Sequence, residues 1–137
     1  LTGQGIEGPR WVQEIYDFMS LPLMVRPNTV LPVGSHVDRP DYDYSNGVTL
    51  QVYQLENGKQ ASVEIPDPNG EIAATFVIRR DQDVIDIQRN GESNAWDVLL
   101  VGIDSIKEIN KMETEILNGS ILIKVQRGTN ELKIHLN

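Results

Sequence analysis

The chain has 137 residues, 39% of them hydrophobic, a net charge of −8 and no cysteine. That length suits one domain, or one domain with a fragment of another, and a core can form without staples. The charge repels phosphate and no Lys/Arg stripe offsets it, so nucleic acid and anionic membrane are excluded as partners. The absence of cysteine excludes disulfide scaffolds, thiol catalysis and cysteine metal sites, and fits a cytoplasmic protein.

No run of 18 apolar residues offers a membrane helix. The chain opens at Leu1 rather than Met, without a basic segment leading into an apolar one, as expected of a piece of a longer polypeptide. Residues 1–10 hold three glycines and a proline and read as loop or hairpin turn. Trp11, Ile15, Phe18 and Met19 approximate a helical stripe, although Trp11-Val12 equally suits the end of a strand. Two apolar runs, Leu21–Val25 and Thr29–Val33, flank Arg26-Pro27-Asn28. Proline fixes its own φ and Asn tolerates the left-handed region, so Pro27-Asn28 suits a tight turn between two extended segments. Ser35–Gly47 has no periodicity and many turn formers, and reads as a linker. Three units are therefore expected: 1–34, a linker at 35–47, and 48–137.

From Val48 the apolar period is two. Val48–Val52, Ala61–Ile65, Ala74–Ile78, Ile85–Ile87, Trp96–Leu100, Met112–Ile116, Ile121–Val125 and Leu132–Leu136 each set apolar residues on alternate positions, the pattern of a strand with one face on a core. Trp96–Val101 is apolar on both faces, as in a strand covered on two sides or by a neighbouring domain. Asn-Gly occurs five times, and supplies the positive φ angles of a type I′ hairpin. Asn57-Gly58 and Asn118-Gly119 are the two strongest hairpin signals. About eight strands joined by short turns predict an all-β fold, an antiparallel β-sandwich of jelly-roll or Greek-key type, preceded by a short partial strand segment.

Chemistry-bearing patterns are sparse. Asp38, Asp41, Asp43, Ser45 and Asn46 form an oxygen-rich loop, but counting from Asp41 the sixth position is Asn46 and the twelfth Val52, where a Ca²⁺ loop needs Gly and Glu. The loop reads as a turn capped by Asx side chains. His36 and His135 have no metal-ligand spacing, and no G-x-S-x-G marks a nucleophile. Glu113 and Glu115 face the same way on one strand, which reads as a solvated face rather than an acid/base pair. No catalytic, cofactor-binding or metal-ligating residue is assigned, and no cofactor is expected. Tyr42, Tyr44 and Tyr53, with Trp11, could stack on a sugar ring, though 6% aromatic residues is low for a dedicated carbohydrate surface and packing is the commoner use.

Ser20-Leu21-Pro22-Leu23-Met24-Val25-Arg26-Pro27-Asn28-Thr29-Val30-Leu31-Pro32-Val33 resembles the segment that follows the catalytic barrel in glycoside hydrolase family 31. Leu1-Thr2-Gly3-Gln4 with Glu7-Gly8-Pro9-Arg10-Trp11-Val12 is similar to the hairpin of the same region. Arg39-Pro40-Asp41-Tyr42-Asp43-Tyr44-Ser45-Asn46-Gly47-Val48 resembles the α-xylosidase branch. Asn28 stands where the family often has Gly, and Pro9 replaces a common second Gly. The likeness is specific over residues 1–55 and weak beyond.

The resemblance implies a parent enzyme that is a retaining exo-acting α-glycosidase of α-xylosides or α-glucosides, with both catalytic aspartates on an upstream β/α-barrel. Residues 1–34 would then close a proximal sandwich, and 48–137 would be most of a distal one. Two functions follow: a non-catalytic module that supports the barrel or contributes homo-oligomer contacts, or an autonomous carbohydrate-binding sandwich using Tyr42, Tyr44 and Tyr53. An Ig-like adhesion repeat fits the β pattern but not the Arg26-Pro27 and Arg39–Tyr42 segments. Strands 1–34, cut from their partners, are expected to pair between copies or onto the distal sandwich, and Leu23, Val25, Val30 and Leu31 to be sheltered by partners outside this chain.

Overall fold

The computed structural model describes residues 5, 7–9, 11, 13, 24–36, 38, 43–91, 94–109 and 112–137. The expected stripe over Ile15, Phe18 and Met19 and the start of the Leu21–Val25 run lie outside the described residues. Met24 and Val25 are not in a strand.

Ten strands are described: β1 (Thr29–Val33), β2 (Thr49–Tyr53), β3 (Gln60–Pro66), β4 (Ile72–Asp81), β5 (Val84–Gly91), β6 (Trp96–Val101), β7 (Ile106–Ile109), β8 (Glu113–Leu117), β9 (Ser120–Val125) and β10 (Glu131–Leu136). They form two five-stranded sheets. The first has the order β1-β2-β6-β9-β8 and the second β3-β4-β5-β10-β7. Each period-two run but one lays its alternate residues between the sheets; the exception is Met112–Ile116, because β8 is an edge strand exposed along its length, with Ile116 65% exposed. Leu50, Val52, Trp96, Val98, Leu100 and Ile123 come from the first sheet. Phe76, Ile78, Ile85, Ile87, Leu132 and Ile134 come from the second. Each such side chain withdrawn from water contributes about 1.5–3 kcal/mol, so this layer holds the fold together. The architecture is the expected β-sandwich.

Four details differ from expectation. The first is the strand count: nine from β2 on rather than about eight, because Ile106–Ile109 adds one, while Thr29–Val33 is the strand segment expected ahead of them. Ile-Lys-Glu-Ile spaces its apolar residues by three, so alternation does not reveal it. A register shift at His135/Leu136 in the β10–β7 pairing lets both Ile106 and Ile109 pack against the core.

The second is Asn57-Gly58. It does not close a hairpin, because β2 and β3 lie in different sheets. Of the two residues only Gly58 has positive φ, at 76°, whereas a type I′ turn needs it at both. The Asn57 side chain instead accepts the Gln82 amide at 2.7 Å. Arg80 donates to the Leu55 carbonyl at 2.8 Å and the Gln82 carbonyl at 3.0 Å. The turn is thus tied to the β4–β5 hairpin as a bridge between sheets. Asn118-Gly119 does behave as expected: φ is 50° and 73°, and β8 pairs antiparallel with β9.

The third is one parallel pair, β2 with β6, in otherwise antiparallel sheets.

The fourth is Val30, expected to need shelter from outside the chain. β1 pairs with β2 along its length, from Thr29↔Tyr53 to Val33↔Thr49. Val30 is buried in this chain's own core, and Leu31 stays half-buried on the other face. Of the two destinations expected for that segment, the structure has the pairing onto the following sandwich.

Candidate functional site

The parallel pair has a local cause in the turn at Asp43–Gly47. Asp43 Oδ1 accepts the Ser45 amide at 3.0 Å and the Ser45 hydroxyl at 2.7 Å, a side-chain-closed turn two residues long. Asn94 Nδ2 then donates to Asp43 Oδ2 and to Ser45 Oγ, both at 3.2 Å. Ser45 is fully buried, although it lies in the expected linker. Gly47 N donates to the Ala95 carbonyl at 2.9 Å and Asp97 N to the Val48 carbonyl at 2.9 Å. The start of β2 is therefore fastened beside the start of β6, and the two strands leave in the same direction.

Arg89 supports this anchor from the core. It occupies an inward position of β5, after Ile85 and Ile87, and is 4% exposed. Its guanidinium lies 5.4 Å from the Phe76 ring centroid, and Nη1 donates to the Asn94 carbonyl. Phe76 and Trp96 pack with centroids 5.1 Å apart and planes tilted by 59°, and Trp96 Nε1 donates to the Thr129 carbonyl at 3.1 Å. Arg89 and Asn94 were not singled out from the sequence. The signal for Arg89 was present: an arginine at the apolar phase of an alternating strand.

The expected sugar-contact residues are distributed differently. Tyr42 lies outside the described residues, as does Asp41. Tyr44 packs partly buried against the core. Tyr53 stands half-buried on the outward face of the first sheet, where its hydroxyl donates to Gln51 Oε1 at 2.8 Å. Burial pushes the Tyr53 phenol up from its ordinary value. Trp11 is fully exposed, and His36 and His135 lie at the surface. Glu113 and Glu115 are exposed, with Glu115 4.0 Å from Lys124, a solvated face as expected.

An open groove of about 550 Å³ is lined by Asp43, Asp67, Pro68, Glu71, Ile72, Ala73 and Gly91. Two of its three acids, Asp43 and Asp67, already close turns. Asp67 Oδ1 accepts the amides of Asn69 at 2.8 Å and Glu71 at 2.9 Å, and Asp43 holds Ser45. Among the described residues no group of three or more His, Cys, Asp or Glu could hold a metal ion. The arrangement organises turns and positions strands.

The two outward faces differ in kind. On the second sheet the outward phase is mostly polar, carrying Ser62, Glu64, Thr75, Arg79, Gln88, Lys133 and His135, with Val77 and Val84 half-buried among them. On the first sheet the register aligns Leu31, Gln51, Leu99 and Leu122 in one row across four strands. Tyr53 and Val101 lie beside it, and Leu117 is at the β8 edge. Leu99 and Val101 are half-buried, and among the described residues no other strand packs over them.

The family model for the C-terminal domain of α-xylosidase YicI matches residues 43–136. The α-xylosidase XylQ of Lactiplantibacillus pentosus is 30% identical over 83 residues, 58% of this chain and 11% of that protein. An α-xylosidase of Emericella nidulans is 33% identical over 69 residues, 48% of this chain and 8% of that protein. The chain thus spans about a tenth of the length of these much longer relatives. The matched region begins at the Asp43 turn that sets the β2–β6 pairing and runs to the end of β10, so the chain belongs to the family of α-xylosidase YicI C-terminal domains.

Proposed function

We propose that the chain is a non-catalytic C-terminal β-sandwich module of a cytoplasmic α-xylosidase-like glycoside hydrolase. The parent polypeptide would carry the catalytic β/α-barrel upstream and hydrolyse α-xylosides or α-glucosides. The observation that carries this reading is the family match over 43–136 in a chain spanning 11% and 8% of two α-xylosidases. The Asp43 and Asp67 carboxylates of the groove, engaged in closing turns, support it further. On this reading residues 1–34 close a preceding sandwich, 35–47 join the two, and 48–137 form the distal domain, with β1 lending its edge to β2 at the junction.

The full polypeptide is expected to release nitrophenol from an aryl α-xyloside, and the pure 137-residue chain to be inert. Turnover by the pure chain would sink the proposal. Calorimetric titration of the chain with xyloglucan oligosaccharides is expected to give no heat. Heat that disappears on Tyr42→Ala or Tyr53→Ala would mark a sugar-binding module instead.

A further inference from the structure

We infer that the outward face of the first sheet is the surface by which this domain seats on the upstream part of its own polypeptide. The inference rests on the reading above, that the chain is one domain of a longer α-xylosidase-like protein. It starts from the half-buried row Leu31, Leu99 and Leu122, extended by Tyr53, Val101 and Leu117. A sheet face left to water alternates to polar residues, as the second sheet's outward face mostly does.

Three observations choose the occupant. Residues 1–28 lead directly into β1, and Leu31 of β1 is itself part of the face. Polypeptide upstream is therefore delivered to the edge of this face, where a covalent tether raises its effective concentration to about the millimolar range. The two α-xylosidases place about nine tenths of their length outside the matched segment, ample for an interdomain interface of about 600–1,500 Å². The charge is the third. Asp97, Glu113 and Glu115 surround the single Lys124 on this face, and the chain carries −8. A second copy would bring the same acidic rim, whereas an apolar surface carrying an Arg or Lys opposite Asp97 and Glu115 complements it.

The chain has no cysteine, so single cysteines report cleanly on its faces. Leu99→Cys and Leu122→Cys probe the apolar face, each standing in for the other if one variant misfolds, and Ser62→Cys is the control on the second sheet. N-ethylmaleimide labelling is followed peptide by peptide by mass spectrometry, in the 137-residue chain and in the full polypeptide. Each face cysteine is expected to label about tenfold or more slowly in the full polypeptide than in the short chain, because packing protects it there. Ser62→Cys should label equally in both. Free labelling of the face cysteines in the full polypeptide overturns the inference. So does labelling as slow in the short chain as in the full polypeptide: if the protection grows with concentration a second copy covers the face, and if it does not, the chain's own residues do. Aryl α-xyloside turnover by the same full polypeptide separates the two claims. An inactive polypeptide refutes the parentage, while free labelling in an active one refutes only the docking face.

Discussion

Asn28 and Glu56 hold each other by two hydrogen bonds across 28 residues of sequence. The Glu56 amide donates to Asn28 Oδ1 at 2.8 Å, and Asn28 Nδ2 donates to Glu56 Oε2 at 3.0 Å. Asn28 also has φ of 62°, and its own amide donates to the Tyr53 carbonyl at 3.0 Å. One residue therefore turns the chain into β1 and clamps that strand to the end of β2. Asn28→Gly keeps the left-handed backbone and loses the side-chain bonds. Asn28→Ala loses the bonds and adds strain of about 1–2 kcal/mol. Urea denaturation is expected to rank wild type above Gly and Gly above Ala, with about 1 kcal/mol between the two variants. Equal midpoints for Gly and Ala would show that the positive φ carries no weight here.

The Asp43 turn gives a second ranking. Asp43 accepts from the Ser45 amide, the Ser45 hydroxyl and Asn94, while Ser45 is fully buried. Asp43→Ala strips the acceptor from a buried hydroxyl and should cost about 2–3 kcal/mol. Ser45→Ala removes that hydroxyl together with its need for a partner and should cost about 1 kcal/mol. Asn94 would still reach Asp43. Thermal denaturation showing Ser45→Ala the more damaging would mean that packing, not the Asp43 acceptor, fixes the turn.

This anchor also shows what the sequence reveals and what it hides. Asp43, Ser45 and Asn46 read correctly as Asx turn chemistry, because the partners Asp43 and Ser45 are two residues apart. That the same turn starts a parallel pair depends on Asn94 and Ala95, some 50 positions on, which no local pattern announces. Asn118-Gly119 closes a hairpin and Asn57-Gly58 does not, although the dipeptides are identical. The difference is tertiary: Asn57 is drawn to Gln82 and Arg80 reaches Leu55. Alternation found the core because burial between two sheets has period two. It also flagged Leu99 and Val101 as apolar on the far side of β6, leaving open what lies over them.

Gly91 tests a close approach of two strands. Its φ is 117°, and a Cβ there would lie 2.2 Å from the Ala73 carbonyl oxygen and 2.8 Å from Ala74 Cα. Both atoms are backbone of β4, paired to β5 at Ala74↔Gly91, so neither can rotate away. Gly102 has φ of 77° with nothing within 4 Å of the same construction. Gly102→Ala should therefore cost only the backbone strain, about 1–2 kcal/mol. Gly91→Ala adds a steric clash with the β4 backbone and is expected to exceed about 3 kcal/mol. Equal losses at the two sites in chemical denaturation would place the β4–β5 backbones further apart than the structure has them.

Asp97 carries the pH dependence. It lies on the outward face of the first sheet, opposite Thr49 on one side and Lys124 on the other. Burial raises its carboxyl above the ordinary 3.8, and the Lys124 ammonium pulls it part of the way back down. The folded chain therefore binds this proton more tightly than the unfolded chain does. The stability the group contributes is fully present below the unfolded pKa and is lost as pH rises through the raised folded value. Asp97→Asn cannot ionise, so its stability relative to wild type should improve as pH climbs from about 3 to 7 and level off once Asp97 is fully charged. Lys124→Met removes the opposing cation, lets the Asp97 carboxyl rise further, and should extend that window to higher pH. The loss of the exposed Glu115 pair at 4.0 Å adds little to the comparison. Urea midpoints measured across this range decide the matter: an Asp97→Asn stability relative to wild type that is flat with pH, or that falls as pH rises, contradicts the raised carboxyl.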